Sequence, residues 1–480
     1  MDRIAKMEKI FKPRSVAFVG ASNNMGKWGG IILHNLISGG YEGDVFPVNP
    51  GETEVQGIAA CPSVESIPHE IDLVILSVPV KAVLPALKQA VDKGVPACII
   101  ITAGYAELGE EGRALQEEIL ATAGQGEMVL VGPNSQGISV PPSKLHPWMP
   151  MLKPLPGSIS IASQSGNVST VLAEKLGEFG FGCSKAVSAG NCADLGFADY
   201  LEYFRKDEST RVALLYVEGV GPSFFEAARR CAAEKPVVVL KSGRTGPGVK
   251  AVSSHTGVLA GSDEIFSAAC RQAGLVRADS LEEAAMISAS LVKSPSAKGP
   301  RVGVVTGGGG YGVMAADEIE RQGLEVAVLS EATIGRLKEM LPPWWAPNNP
   351  VDMVAGLGYA GPREIVPVLM EAPEVDAVIV LGIGWVYSMT DPAGAQIDIN
   401  NPHPQVKRYI DWDMENSQIM ADYFFKYGKP LLMTSSLAHL AVRRGYPSLT
   451  SLLEKGIMIY PAIPDAVKAA KALYERGRRQ

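Results

Sequence analysis

The chain has 480 residues and a formal net charge of −7, with 46% hydrophobic and 20% charged residues. At roughly 100–200 residues per domain this predicts about three folded domains, and the apolar content excludes disorder over most of the length. The acidic balance, with 44 Lys and Arg scattered along the chain, excludes nucleic acid as the main partner. The one basic cluster, Arg476 to Arg479, is read as a solvated helix end.

The opening segment MDRIAKMEKIFKPRS has no apolar core of the signal-peptide type. No apolar run approaches the ~20 residues that a membrane-crossing helix needs. The six cysteines, Cys61, Cys98, Cys183, Cys192, Cys231 and Cys270, show neither CxxC spacing nor ligand spacing from a histidine. No metal site and no disulfide framework is therefore expected, and the reading is cytoplasmic, with no membrane partner.

In chain order, β-branched runs alternate with amphipathic helical stretches. The predicted strands begin with Ser15–Val19, Asp44–Val48, Leu73–Val78, Cys98–Thr102 and Met128–Val131. After the Pro-rich stretch Pro141 to Pro156 come Ser158–Ala162, Val212–Val217 and Val237–Lys241. The second break, KSPSAKGP from Lys293 to Pro300, precedes Val302–Thr306, Glu325–Leu329, Ala377–Leu381 and Leu431–Thr434. Apolar strands separated by helices indicate parallel sheets covered on both faces. The class is α/β, read as three doubly wound domains over residues 1–145, 146–296 and 297–480. Gly384 to Ser417 is too rich in aromatic, Pro and Asn residues for a plain crossover and reads as a functional or mobile loop.

The run SVAFVGASNNMGKWGG reads as strand, glycine turn and helix. Such a turn holds a phosphate, because free backbone N–H groups and the helix dipole point at it. The next strand ends in Asn49-Pro50, where an NAD site would place an acidic ribose partner. Lys27 offers positive charge instead, which suits a more heavily phosphorylated adenine ligand. The strand ends Ser77-Val78-Pro79 and Thr102-Ala103-Gly104, and the turn GPNSQG from Gly132 to Gly137, feed the same crevice.

Three further segments carry one theme. Ser163-Gln164-Ser165-Gly166 follows a strand and opens a helix, a setting that suits an anion. Gly307 to Gly310 open another helix, and four consecutive glycines after a buried strand are costly unless something approaches the backbone closely. In KSGRTGPGVKAVSSHTGVLAG, His255 alone of six histidines sits in a Ser/Thr/Gly-rich loop after a strand. An imidazole near helix N-termini can act as a nucleophile toward phosphorus, and it then wants a carboxylate on its other ring nitrogen. Glu218, at the end of a strand in LLYVEGVG, is the candidate; a solvated strand-end carboxylate is the alternative. Asp194 and Asp199 are read as helix-capping residues.

These motifs, with SAGNCADLGFADYLEYF, SHTGVLAG followed by QAG, TGGGGYG and NNPVDM, resemble the α subunit of the nucleoside-diphosphate-forming acyl-CoA synthetases, relatives of succinyl-CoA synthetase. The resemblance runs from Ser15 to about Tyr474. It implies a Rossmann-like CoA-binding domain, a succinyl-CoA-synthetase-like domain with a phosphohistidine loop, and a flavodoxin-like ligase–CoA domain. It makes His255 the phosphohistidine and Glu218 its partner. Phosphate is expected at Ser163, Gln164, Ser165 and Gly166 and at Gly307, Gly308 and Gly309. CoA is expected over Gly20, Ala21, Ser22, Val48, Asn49, Pro50, Ser77, Pro79, Thr102 and Asn134, with Lys27 beside them.

The implied activity is ADP-forming acid–thiol ligation through an acyl phosphate. No stretch is left for an ATP-grasp module, so an ATP-grasp β subunit carrying ATP or ADP and Mg2+ is expected, with a small carboxylic acid as substrate. Gly51 stands where the family often has a Lys or Arg for the CoA 3′-phosphate. Trp344 and Trp345 are candidates for the acid's pocket, or simply packing residues. The alternatives weighed are a CoA-binding regulatory protein of the same fold and a nicotinamide-dependent dehydrogenase.

Overall fold

The structure, a computed structural model, describes residues 2–250, 262–353, 361–384 and 403–479. His255 lies outside the described residues, as does most of the segment read as a long loop after Gly384. The described end of that segment is helical rather than looped, because Pro404–Lys426 forms one long helix.

The chain divides into two compact units, residues 1–174 with 182–284, and residues 175–181 with 285–480. The first unit holds two sheets. In the first sheet, β1 (Ser15–Val19), β2 (Asp44–Val48), β5 (Leu73–Leu76), β6 (Ala97–Ile100) and β7 (Val129–Val131) are parallel in the order β2-β1-β5-β6-β7. The short hairpin β3 (Glu54–Val55) and β4 (Ile58–Ala59) stands outside it. In the second sheet, β9 (Pro156–Ser163), β10 (Cys183–Ser188), β11 (Val212–Val217), β12 (Val237–Lys241) and β13 (Val276–Ala278) are parallel. The edge strand β8 (Ile138–Ser139) runs antiparallel to β10. β1, β5 and β12 are buried along their length and β11 at every residue but Tyr216, as their continuous apolar sequences require.

The second unit winds β14 (Arg301–Thr306), β15 (Glu325–Val326), β17 (Ala377–Leu381), β18 (Leu431–Thr434) and β19 (Ile459–Tyr460) in the order β15-β14-β17-β18-β19. The two-residue strand β16 (Val351–Asp352) also pairs with β14.

All three sheets therefore share one winding. In each, one early parallel strand (β1, β9 or β14) has the next strand (β2, β10 or β15) on one side and a later one (β5, β11 or β17) on the other. The chain reverses direction across the sheet there, opening a crevice at the strands' carboxyl ends, where ligands of such folds bind. In the first unit these crevices lie outside β1 and β5, and outside β9 and β11.

The N-terminal helix α1 (Arg3–Phe11) ties the two sheets of the first unit. Arg3 binds Asp194 and Asp199 of the second sheet's flank, while Lys9 binds Asp72 before β5. Asp199 does cap its helix, accepting the N–H of Gly196 at 2.9 Å. Asp194 instead accepts the N–H of Leu130 at 2.7 Å. Among the described residues no helix is long and apolar enough to cross a membrane, and all six cysteines are unpaired. Trp345 is packed, whereas Trp344 is 72% exposed.

Candidate active site

The turn after β1 is built by its own backbone. Gly20 has φ +91, and a methyl group there would lie 2.2 Å from the Ser77 carbonyl oxygen. One at Gly29 would lie 2.0 Å from the Gly20 oxygen, and one at Gly30 would lie 2.2 Å from the Asn24 oxygen. These three glycines are thus required by the close packing of the turn on the start of α2 (Trp28–Ser38) and on β5.

Side chains then brace it. Asn49 Nδ2 donates to the Ala21 carbonyl at 2.8 Å, and its Oδ1 accepts the Gly51 N–H. Gln56, at the tip of the β3–β4 hairpin, donates to the carbonyls of Ser22 and Gly30 at 3.0 and 2.9 Å. The hairpin's Gln56-Gly57 turn, both residues at positive φ, was signalled by VQGI, a two-residue turn between apolar residues.

A cavity of about 540 Å3 opens on this turn, within the size range of small-molecule sites. Of the expected CoA contacts, Gly20, Lys27, Ser77, Pro79, Thr102 and Asn134 line it. Ala21, Ser22, Val48, Asn49 and Pro50 are not among its lining residues: Ala21 and Val48 are buried, and Asn49 serves the turn. Lys27 is the one cation in the lining and has no ion pair among the described residues. Sequence reasoning passed over Trp28, Ile101, Ser135, Gln136 and Met149, which also line it. Two of these, Ser135 and Gln136, stand inside the GPNSQG motif from which only Asn134 was taken.

The wall at Thr102 is held from behind. Thr102 Oγ1 donates to the Val78 carbonyl at 2.6 Å, and the N–H of Gly104 donates to Glu107 Oε1 at 2.6 Å. Burial alone would raise the Glu107 carboxyl, but hydrogen bonds from Asn191 and Gly104 outweigh it and hold it below its ordinary value. Asn191, in the loop after β10, also meets Asn134 at 3.3 Å and so joins this wall to the second sheet.

Past α3 (Val80–Asp92) and α4 (Glu110–Gln125), which connect strands of the first sheet, α5 (Gly166–Glu178) starts shortly after β9 at the second crevice. Ser163 Oγ donates to the Ser165 carbonyl at 2.6 Å, and Ser165 Oγ accepts the Val168 N–H. The N–H groups of Gly166 and Asn167 have no hydrogen-bond partner among the described residues, leaving donors at the positive end of the helix dipole.

Glu218, one residue beyond β11, is 6% exposed. Gln164 Oε1 accepts its backbone N–H, so this expected phosphate contact spends its oxygen on the carboxylate's turn. Tyr216 places its hydroxyl beside the Glu218 carboxylate; burial first, and then that charge, push the hydroxyl up. Burial, followed by the charges of Glu218 and Asp199, pushes the nearby Cys192 thiol up to about 12. Behind the KSGR loop, the buried Lys241 ammonium donates to the carbonyls of Ser242 and Gly243. Arg244 binds Asp279 and Asp263. These contacts fix the described flanks of the segment that contains His255.

In the second unit, Gly308 caps the helix Gly309–Arg321. Thr306 Oγ1 accepts the Gly308 N–H at 3.1 Å. None of Gly307 to Gly310 has a positive φ. Beside Gly308 and Gly310 a methyl group would meet nothing within 4 Å. Unlike Gly20 and Gly29, these two are not required by the packing of the described residues and leave open backbone at a helix start, while a methyl group at Gly309 would come within 3.0 Å of Asp352 Oδ2. Among the described residues no group of three or more His, Cys, Asp or Glu side chains could hold a metal ion.

Two family models match this chain: a CoA binding domain over residues 14–141 and a succinyl-CoA ligase like flavodoxin domain over residues 156–291. The chain is 37% identical to the acetate–CoA ligase [ADP-forming] I subunit alpha of Pyrococcus furiosus, over 98% of this chain and 97% of that one. It is 34% identical to the acetate–CoA ligase [ADP-forming] II of Archaeoglobus fulgidus, over 99% of this chain but 68% of that longer one. The solved dinucleotide-forming acetyl-coenzyme A synthetase 1 of Ca. Korarchaeum cryptofilum, in complex with phosphate and ADP, superimposes with a TM-score of 0.84 at 30% identity. That match covers 98% of this chain and 97% of that one. With identity of this order sustained across nearly the whole of both chains, this chain belongs to the family of α subunits of the ADP-forming acyl-CoA ligases, in the succinyl-CoA synthetase superfamily.

Proposed function

We propose that the chain is the α subunit of an ADP-forming acyl-CoA ligase, converting a small carboxylic acid, CoA and ATP reversibly into acyl-CoA, ADP and phosphate. One observation carries the reading furthest. The cavity at the first glycine turn ends at Gln136, which rests on the first residue of α5, and the Gln164 just before α5 holds Glu218. A crevice suited to a phosphorylated adenine ligand, a helix start with free donors and a buried carboxylate are thus linked through one strand end. Glu218 is retained, and the relatives are named as ligases, so the regulatory alternative has nothing in its favour.

In this reading CoA lies over Gly20, Lys27, Ser77, Pro79, Thr102 and Asn134, with Ala21, Ser22, Val48, Asn49 and Pro50 shaping the turn. Phosphate sits on the free N–H groups of Gly166 and Asn167, at the helix start after Ser165, and attacks the thioester carbonyl, giving an acyl phosphate and free CoA. His255 Nε2 or Nδ1 then takes the phosphoryl group and releases the carboxylate. The Glu218 carboxylate offsets the imidazole's charge and fixes its tautomer. The open turn at Gly307 to Gly309 is the second phosphate-holding helix start. The three parts are taken as residues 1–145, 146–296 and 297–480.

Transfer of the phosphoryl group to ADP is assigned to a separate ATP-grasp β subunit with Mg2+. Two facts support it: the relative in Pyrococcus furiosus is named a subunit, and the relative in Archaeoglobus fulgidus has a further third of chain beyond the match. The protein is placed in the cytoplasm.

The test is mass spectrometry of the intact chain after incubation with phosphate and a panel of acyl-CoAs. An acid-labile phosphoryl group is expected on the wild type, absent in His255→Asn and formed on the order of 100-fold more slowly in Glu218→Gln. A wild type that binds CoA but is never labelled would sink the reading.

A further inference from the structure

Gln136 stands where the cavity of the first sheet meets the first turn of α5. Its backbone is fixed from two sides: its N–H donates to Ser188 Oγ at 2.8 Å, and its carbonyl accepts the Met149 N–H at 2.9 Å. Ser135 donates to the Ser188 carbonyl, so the turn is fastened to the end of β10 twice over. The side chain lies against Gly166, where an added methyl group would come within 2.2 Å of Gln136 Cγ and 2.3 Å of its Cδ. Nε2 donates to Asn167 Oδ1 at 2.9 Å. A carboxamide nitrogen carries two donors, and the second has no partner among the described residues, on a side chain that lines the cavity.

The ligase reading sets a chemical demand at this point. As acyl-CoA is consumed, HPO4(2−) attacks the thioester carbon. A C–O bond forms, the C–S bond breaks with its electron pair on sulfur, and the phosphate proton ends on the thiol. Negative charge develops on the carbonyl oxygen, and a rigidly held donor aimed at that oxygen lowers the barrier.

The other donors nearby are assigned. Asn134 Nδ2 meets Asn191 Oδ1 at 3.3 Å, the Gly166 and Asn167 N–H groups are assigned to the phosphate, and the Lys27 side chain, which makes no bond to the start of α2, is assigned to CoA. We propose that Gln136 supplies this donor: its second N–H receives the acyl carbonyl oxygen as the acyl group passes between CoA sulfur and phosphate oxygen. The proposal rests on the ligase reading above.

The experiment follows labelling of the full chain by radioactive phosphate with acetyl-CoA and with larger acyl-CoAs, and CoA binding by calorimetry. Gln136→Met keeps the bulk over Gly166 and removes the donors; Gln136→Ala removes both. Labelling is expected to slow about 100–1,000-fold in each. CoA affinity is expected to stay within about threefold, since the lost contact is made in the transition state. A wild type that labels beside a Gln136→Met chain that labels equally fast overturns the role of Gln136 and leaves the ligase reading standing. Loss of CoA binding in both variants also overturns it, because Gln136 is then a wall and not a donor. An unlabelled wild type overturns the ligase reading, and the role of Gln136 with it.

Discussion

The side-chain oxygen of Gln164 accepts the backbone N–H of Glu218 at 2.6 Å and that of Gly219 at 3.2 Å. The two residues come from the ends of neighbouring parallel strands, β9 and β11, and Gln164 N–H returns a bond to the Tyr216 carbonyl. Gln164 therefore clamps the turn that presents the Glu218 carboxylate, a role that its place in an SQSG helix start did not announce.

Replacing Gln164 by Leu leaves two N–H groups without an acceptor, a loss of about 1–3 kcal/mol each if both remain buried. The turn is expected to relax, lowering kcat on the order of 10-fold or more with CoA affinity unchanged. Gln164→Glu retains an acceptor and should recover much of the rate. Urea midpoints and steady-state kinetics on the two variants check this. Equal activity in all three proteins would mean that Glu218 is held elsewhere.

Much of the fold was legible because its central strands are continuous apolar runs: Val212–Val217 and Val237–Lys241 were bounded correctly from sequence. The strand Cys183–Ser188 was not, although it is buried throughout. Its sequence CSKAVS carries a lysine and two serines, which read as surface. Inside the protein Lys185 pairs with Asp207, and Ser184 bonds Ser160. Polar partners 22 and 24 residues away along the chain, met only in tertiary contacts, erased the periodic signal. At the site, the glycine turns and Glu218 were visible as motifs. The bracing by Gln56, Gln136 and Asn191 was not, since each acts on an element remote in sequence.

The Lys185–Asp207 pair makes a second prediction. Each side chain is 2% exposed. Burial alone would raise the Asp207 carboxyl, but Lys185, with Thr210 and Ser209 donating, holds it down to about 2. A depressed folded-state pKa stabilises the fold above the ordinary carboxyl value. That contribution is lost as pH falls from about 4 through about 2. Asp207→Asn should cost about 3–5 kcal/mol at neutral pH, because a buried ammonium loses its partner. Its stability should then fall less than that of the wild type across the same acid range. Chemical denaturation at several pH values reads both effects, and parallel curves for the two proteins would refute the assignment.

Among the described residues Lys27 supplies the only positive side chain in the lining of the cavity. Lys27→Ala is expected to raise KM for CoA on the order of 10-fold with kcat unchanged, the loss of one charge-assisted contact. The penalty should shrink with CoA lacking its 3′-phosphate. At Gly51 a methyl group would meet only Asn49 Oδ1, at 3.5 Å, so a side chain fits there. Gly51→Lys should tighten CoA binding. A Lys27→Ala penalty equal for both forms of CoA would assign the ammonium to the pyrophosphate instead.

The glycines of the two units separate structural from ligand-imposed need. At Gly29 a methyl group would lie 2.0 Å from the Gly20 carbonyl oxygen, a clash with backbone that no rotamer relieves. Gly29→Ala should therefore cost about 3 kcal/mol or more and reduce folded yield. Gly310, in the first turn of the helix Gly309–Arg321, has nothing within 4 Å and no positive φ. By chain physics alone Gly310→Ala should raise stability by about 0.4–1 kcal/mol, since alanine has less unfolded-state entropy to lose. If a phosphate comes close to that backbone, the same methyl group stands in its way, and KM for phosphate should rise on the order of 10-fold. Thermal melts beside phosphate titrations of the labelling reaction resolve the two effects. A more stable Gly310→Ala protein with unchanged phosphate KM would make the four glycines a flexible connection rather than an anion cradle.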